Sequence, residues 1–397
     1  MNDTGDRDVL PVLSITWRLA MNSRLCWTFA ITSLALFAFT LDRLVVAIAL
    51  PAIRTDLGAQ AAGLEWTVNA YTLSFAVLLL TGGALGDRFG RRRMFTIGVA
   101  VFTAGSAAAA LAPTIGALVA ARAVQGVGGA IFTPLTLTML AAVTPPGRRG
   151  TVLGAWGGIG GLGAALGPLA GGVLAGSVGW RAIFWLNVPL GLVLMPLARL
   201  RLAETYGPRR RLDLAGVALG SAGLSGVVWA VIQAGAAGWT SAETSLALGG
   251  GAALLALFVC WEMRTPAPML PMRFFRSRVF AAGALACLAM YAAVFGALFL
   301  ITQLLQVGTG ATPLQAGLRT LPMAVMPLLL APAGGVITDR IGFRPLINLV
   351  ETCLTVGSVF FATGLIGELI AAQRAELSQV RARLEDLSRD RDTPSSP

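Results

Sequence analysis

The sequence predicts an all-α, polytopic membrane protein with about eleven transmembrane helices, and three observations carry that prediction. Only 12% of the 397 residues are charged and 56% are hydrophobic, where a soluble domain carries roughly 25% charged residues. The apolar residues gather into runs near the ~20-residue length that crosses a ~30 Å hydrocarbon core. The short segments between runs concentrate arginine on alternate sides, as membrane loops do.

The first run, near 27-52, is apolar apart from Asp42 and Arg43 and reaches Pro51. The second, 65-86, opens on Trp66 and stops at a basic loop, from which the third, 94-112, leads away. The fourth, 116-140, contains Arg122 and Gln125, and the fifth, 152-176, is rich in glycine. A short sixth run, 182-198, precedes the arginine cluster at 199-211. Runs at 212-235 and 244-261, 280-304, 318-338 and 347-367 complete the series. Gly and Pro inside these runs are compatible with helices, because both are tolerated in spans packed against neighbours.

Orientation follows from arginine, since the chain has no lysine. Of 30 arginines, 20 lie on the side shared by the N-terminus and the loops near 88-93, 148-149, 199-211, 264-278 and 340-344, against only Arg54, Arg181 and Arg319 on the other side. The positive-inside rule makes the N-terminus cytoplasmic and the protein multi-pass in the cell inner (plasma) membrane. The organisation expected is a cytoplasmic N-terminus at 1-26, a first six-helix bundle at 27-198, and a linker with two extra spans at 199-265. An incomplete second bundle of three spans at 266-367 and a polar amphipathic tail at 368-397 follow.

The net charge of +11 is then a topology signal rather than a nucleic-acid surface. Absence of lysine removes the P-loop, whose ammonium grips phosphates. Absence of histidine removes imidazole bases and zinc sites built on them. Cys26, Cys260, Cys287 and Cys353 have no C-x-x-C spacing and read as small apolar fillers. No metal, cofactor or enzymatic activity is expected.

Segment 83-92, GALGDRFGRR, and segment 335-344, GVITDRIGFR, share G-x-x-x-D-R-x-G-x-R, each at the cytoplasmic end of a span. Two copies on one side imply a parallel repeat about an axis along the membrane normal. With LDRLVVAIALP at 41-51, LVAARAVQGVGGA at 118-130, WRAIFWLNVPLG at 180-191 and LLQVGTGATPLQAGLRTLP at 304-322, the chain resembles the major facilitator superfamily, specifically its fourteen-helix drug:proton antiporter subgroup. Gly154, Gly163, Gly167, Pro168, Gly171 and Gly172 match the spacing of that subgroup's antiporter motif.

The resemblance implies major-facilitator-type helical bundles and assigns roles, each beside a plainer reading. Gly83, Asp87, Arg88, Gly90, Arg91 and Arg92, with Asp339, Arg340, Gly342 and Arg344 as their second copy, would form an electrostatic latch between bundles; the plainer reading is a solvated basic loop. A carboxylate near a helix N-terminus gains about 0.3-1 kcal/mol from the dipole. The fifth-span glycines would face the second bundle, or simply allow close packing. Asp42, inside the first span, reads as facing a polar cavity and as protonatable; the alternative is a fixed pair with a basic neighbour. Arg43 points about 100° away from it. Arg122 and Gln125, three residues apart on one helix face, read as a proton path or a hydrogen-bond hub.

The function so implied is proton-coupled export of drug-like small molecules, with protons and the lipid bilayer as partners. The alternative is a shortened, non-transporting remnant or interacting subunit. By family analogy the first latch copy would dock on a thirteenth helix that this chain lacks, so a second copy or a completing partner is expected.

Overall fold

A computed structural model describes residues 23-207, 213-266, 268, 270-304, 315 and 330-340. The helices follow the apolar runs in order: α1 (Ser23–Leu57), α2 (Ala61–Phe89), α3 (Arg91–Ala110), α4 (Ile115–Val143), α5 (Arg149–Ser177), α6 (Arg181–Trp185), α7 (Asn187–Arg201), α8 (Leu214–Ala237), α9 (Ala242–Arg264) and α10 (Arg278–Gln303). A further helical segment covers 330-340. Eight stretches are long and apolar enough to cross a membrane, among the described residues. The run at 347-367, the tail, Gly342 and Arg344 lie outside them, as does most of 318-338.

Side-chain caps set several helix starts: Thr114 for α4, Asp213 for α8, Ser241 for α9 and Ser277 for α10. Such a cap satisfies an orphan N–H and contributes about 1 kcal/mol. The sixth run comprises α6 and α7, which continue into one another through Leu186, whose own backbone is helical (φ −58°, ψ −34°) and whose N–H bonds the Ala182 carbonyl at 3.0 Å.

Helices α1 to α7 form one packed body, in which α4 lies against α2 and α3, α1 against α5, and α7 against α3 and α1. The α8–α9 hairpin leans on α2 from outside, and the Trp66 and Trp229 rings meet there at 5.0 Å. Two apolar layers fill the body. One gathers Phe39, Tyr71, Phe95, Phe102 and Phe132 toward the arginine-rich end. The other gathers Val45, Val46, Ile53, Ala109, Leu118, Ile183 and Phe184 toward the opposite end. On each helix the polar residues Asp42, Ser106, Arg122 and Gln125 fall between members of the two layers.

The fifth-span glycines divide between two neighbours, most of them packing closely against α1 and one against the 330-340 segment. A β-carbon on Gly163, Gly167 or Gly171 would press on α1, against Phe37 and Thr40, Leu41 and Leu44, or Val45 and Ile48. Only Gly154 of the motif meets the 330-340 segment, at the Ala331 carbonyl. Gly172 is half-buried on α5, which also contains Pro168. The stripe recurs at near-helical spacing, so one face of α5 approaches one partner along most of its length.

Candidate functional site: a buried ion pair and two loop contacts

Asp42, Arg122 and Gln125 are each 0% exposed and meet in one cluster. Arg122 Nη1 donates to Asp42 Oδ2 at 2.7 Å and to Gln125 Oε1 at 2.7 Å. Gln125 Nε2 donates to Asp42 Oδ1 at 2.8 Å and to Ser106 Oγ at 2.6 Å. Arg122 Nε reaches the Thr67 carbonyl oxygen at 3.2 Å, and its guanidinium lies 4.1 Å from the centre of the Tyr71 ring. The Phe184 ring stands 5.8 Å away.

Asp42 therefore does not face a polar cavity. The desolvation that an open cavity would have relieved is instead offset by a cation and two amides, sealed between apolar layers on either side. A buried pair of this kind depends on additional hydrogen bonds, which Thr67, Gln125 and Asn187 supply here.

Sequence reading missed two members of the cluster. Asn187 Nδ2 donates to Asp42 Oδ1 at 2.6 Å, and Ser106 accepts from Gln125. The amide of Asn187 inside the otherwise apolar run at 182-198 was a signal. Ser106 gave none, since a serine among alanines is ordinary in a packed membrane helix.

The two copies of the D-R-x-G motif sit in different surroundings. Asp339 accepts three hydrogen bonds at the start of α5, from the Gly150 N–H, the Thr151 N–H and the Thr151 hydroxyl, each 2.8 Å. Burial pushes its carboxyl up, but those three hydrogen bonds outweigh burial and hold it below the ordinary carboxylate range. The dipole expectation thus applies to Asp339. Arg340 is exposed.

Among the described residues Asp87 caps no helix: its carboxylate pairs with Arg91 at 2.8 Å, four residues on. Its carbonyl accepts from the Gly207 N–H at 3.0 Å. The rest of this copy docks on the strap that follows α7. Glu204 accepts from the Arg92 N–H at 2.9 Å, and the Arg91 N–H reaches the Thr205 carbonyl at 2.9 Å. Gly90 turns the chain with φ of +101°, and a β-carbon there would stand 2.7 Å from Glu204 Oε1. Gly83 has no such constraint, and Arg88 is exposed beside Phe89. The described contacts of this copy thus stay within the α1–α7 body and its strap. Glu204 was missed because nothing near it in sequence identifies its partner.

Comparison with known proteins gives this geometry a family. The chain is 37% identical over 317 residues to the tetracenomycin C resistance and export protein of Streptomyces glaucescens, covering 79% of this chain and 59% of that one. It is 37% identical over 326 residues to the multidrug resistance protein Stp of Mycobacterium tuberculosis, covering 82% and 61%. The chain thus spans about three fifths of the length of these relatives. Among solved structures, the proton:xylose symporter XylE shares the fold with a TM-score of 0.57 and 16% identity, over 81% of this chain and 71% of that one. Residues 32–373 match the profile of the Major Facilitator Superfamily, a family of membrane transporters rather than enzymes, and the chain belongs to it.

Proposed function

We propose that the chain acts in proton-coupled export of drug-like small molecules, with its N-terminus in the cytoplasm and its spans in the cell inner (plasma) membrane. The observation that carries this reading is the Asp42–Arg122 pair, buried across two helices in the middle of the membrane body. An ionisable pair at that depth is costly to place, and such groups mark ion or substrate pathways. The names of the relatives, which speak of resistance and export, support the same direction.

In this reading Asp42 is the proton carrier. As a carboxylate it is held by Arg122. As a carboxylic acid it releases the guanidinium, and the helices α1 and α4 that carry the two groups are free to shift. Asp339 on the start of α5, with its motif partners Arg340, Gly342 and Arg344, acts as a latch at the arginine-rich end. The strap contact of Asp87, Arg91 and Arg92 is the corresponding latch of the first copy. The α5 glycines let α5 slide against α1 without side-chain collision.

The test is efflux of ethidium and of tetracenomycin C from a bacterial host lacking its own major pumps. The wild-type chain should extrude at least one of them, a protonophore should abolish that extrusion, and Asp42→Asn should insert normally yet give none. A membrane-inserted wild-type chain without efflux, or efflux indifferent to the protonophore, would overturn the proposal.

A further inference from the structure

Asp42 meets only donors. Arg122 Nη1 reaches Oδ2, while Gln125 Nε2 and Asn187 Nδ2 both reach Oδ1. That arrangement suits a carboxylate, which only accepts. A protonated Asp42 carries an O–H that needs an acceptor, and a side chain with 0% exposure has no bulk water beside it. One neighbour must therefore change from donor to acceptor.

Arg122 cannot, because a guanidinium has no acceptor atom. Gln125 is committed at both ends, with Oε1 accepting from Arg122 and Nε2 donating to Ser106 as well as to Asp42. Asn187 is committed at one end only: its Oδ1 is buried without a hydrogen-bond partner. Half a turn of that amide brings Oδ1 to Asp42 and leaves Nδ2 as the unpartnered atom. One amide atom is unmatched in either orientation, so the desolvation terms on the Asn187 side nearly cancel. The protonation state of Asp42 then selects the orientation.

We propose that Asn187 is the positioning residue that reads the proton on Asp42, its amide donating to the carboxylate and, once turned, accepting from the carboxyl O–H. This inference rests on the reading of Asp42 as the proton carrier. The only bond made or broken is the O–H of Asp42, whose proton comes from water and returns to it. Asn187 is the first residue of α7, directly after Leu186, within the continuous sixth span of 181-201. A change in its hydrogen bonding therefore acts on the sixth span where that span packs beside α1.

The charged and titratable groups facing Asp42 are Arg122 from α4 and Tyr71 from α2. Arg43, next along α1, is near enough to Tyr71 to act on it electrostatically. Beyond these, Ser106 of α3 accepts from Gln125, the α5 glycines pack along the same helix α1, and Phe184 of α6 stands beside Arg122; none of them titrates.

The experiment is infrared difference spectroscopy of the purified full-length chain in lipid, between alkaline and acidic pH, with isotope-labelled asparagine. Acidification should produce a carboxyl C=O band that is absent from Asp42→Asn, and with it a shift of a labelled side-chain amide band that is absent from Asn187→Leu. In Asn187→Leu the carboxyl band should also move, because its O–H has lost the acceptor. Asn187→Ser, whose hydroxyl donates or accepts, should restore the wild-type carboxyl position.

An Asp42 carboxyl band with no labelled-amide shift in the wild-type chain overturns the proposal and leaves Asp42 as the proton site. A labelled-amide shift that survives in Asn187→Leu overturns it as well. An amide shift lost in Tyr71→Phe, which removes the unpartnered Tyr71 Oη, and retained in Asn187→Leu moves the role to another residue. Absence of any Asp42 band at every pH overturns the proton-carrier reading itself. The labelled wild-type measurement decides the question even if the Leu variant fails to fold.

Discussion

Arg122 holds the first body together as well as facing the proposed proton carrier, and these roles separate in a double-mutant cycle. Removing one partner of a buried pair leaves an uncompensated charge and costs about 3–5 kcal/mol, whereas removing both charges together is often near neutral. Arg122→Ala should therefore lower the unfolding temperature in detergent strongly, and adding Asp42→Asn should recover much of the loss without restoring efflux. An Arg122→Ala chain as stable as wild type would mean that the pair contributes nothing to folding. The three members named from sequence were legible because a charge or an amide inside an apolar run stands out. Their meeting was not: Asp42 and Arg122 are 80 positions apart, and only the packing of α1 on α4 joins them. The same limit led the carboxylate to be read as facing a cavity, since a helix periodicity says which face is polar but not what lies opposite.

At the scale of elements, the contact between the 330-340 segment and α5 depends on two features that act together. Gly150 and Gly335 let the backbones approach, and a β-carbon on either would collide with the other strand of chain. Asp339 then supplies the acceptor that the first N–H groups of α5 lack within their own helix. Because the folded-state carboxyl is held below its ordinary range, this contribution is fully present above that range and is lost as pH falls through the lowered folded-state value. The hydrogen-exchange protection factor at the start of α5, taken against the intrinsic rate at each pH, should accordingly stay high from neutral pH into mild acid and fall only below the ordinary carboxylate range. Asp339→Ala should make it low at every pH, and unchanged protection in that variant would remove Asp339 from the contact. The order and approximate extent of the helices were legible, because each needs a long apolar run. The division of the α5 glycines was not, since a stripe of small residues marks close approach without naming the partner, and most of this one lies on α1.

For the molecule as a whole, two sets of contacts mark the two ends of the body. The Asp339–α5 contact and the Glu204 strap both lie at the arginine-rich end, while Asp56 binds Arg181 and Trp180 at the other. In the proposed topology the positive-inside rule assigns the first of these ends to the cytoplasm. Helix α5, 29 residues and about 43 Å long, runs from one end to the other. It offers two positions for a direct test. Gly147 lies just before its start and Gly176 near its end, both exposed and both with open space where a β-carbon would stand. In a chain whose native cysteines are replaced, Gly176→Cys should react with a membrane-impermeant maleimide added to intact cells, and Gly147→Cys should react only after the cells are permeabilised. Neither substitution disturbs a contact, so a failure to label reports on sidedness rather than on folding. The reverse pattern would invert the topology, placing the Asp339 contact outside the cell, where a latch on α5 would close the external end of the body instead of the cytoplasmic one.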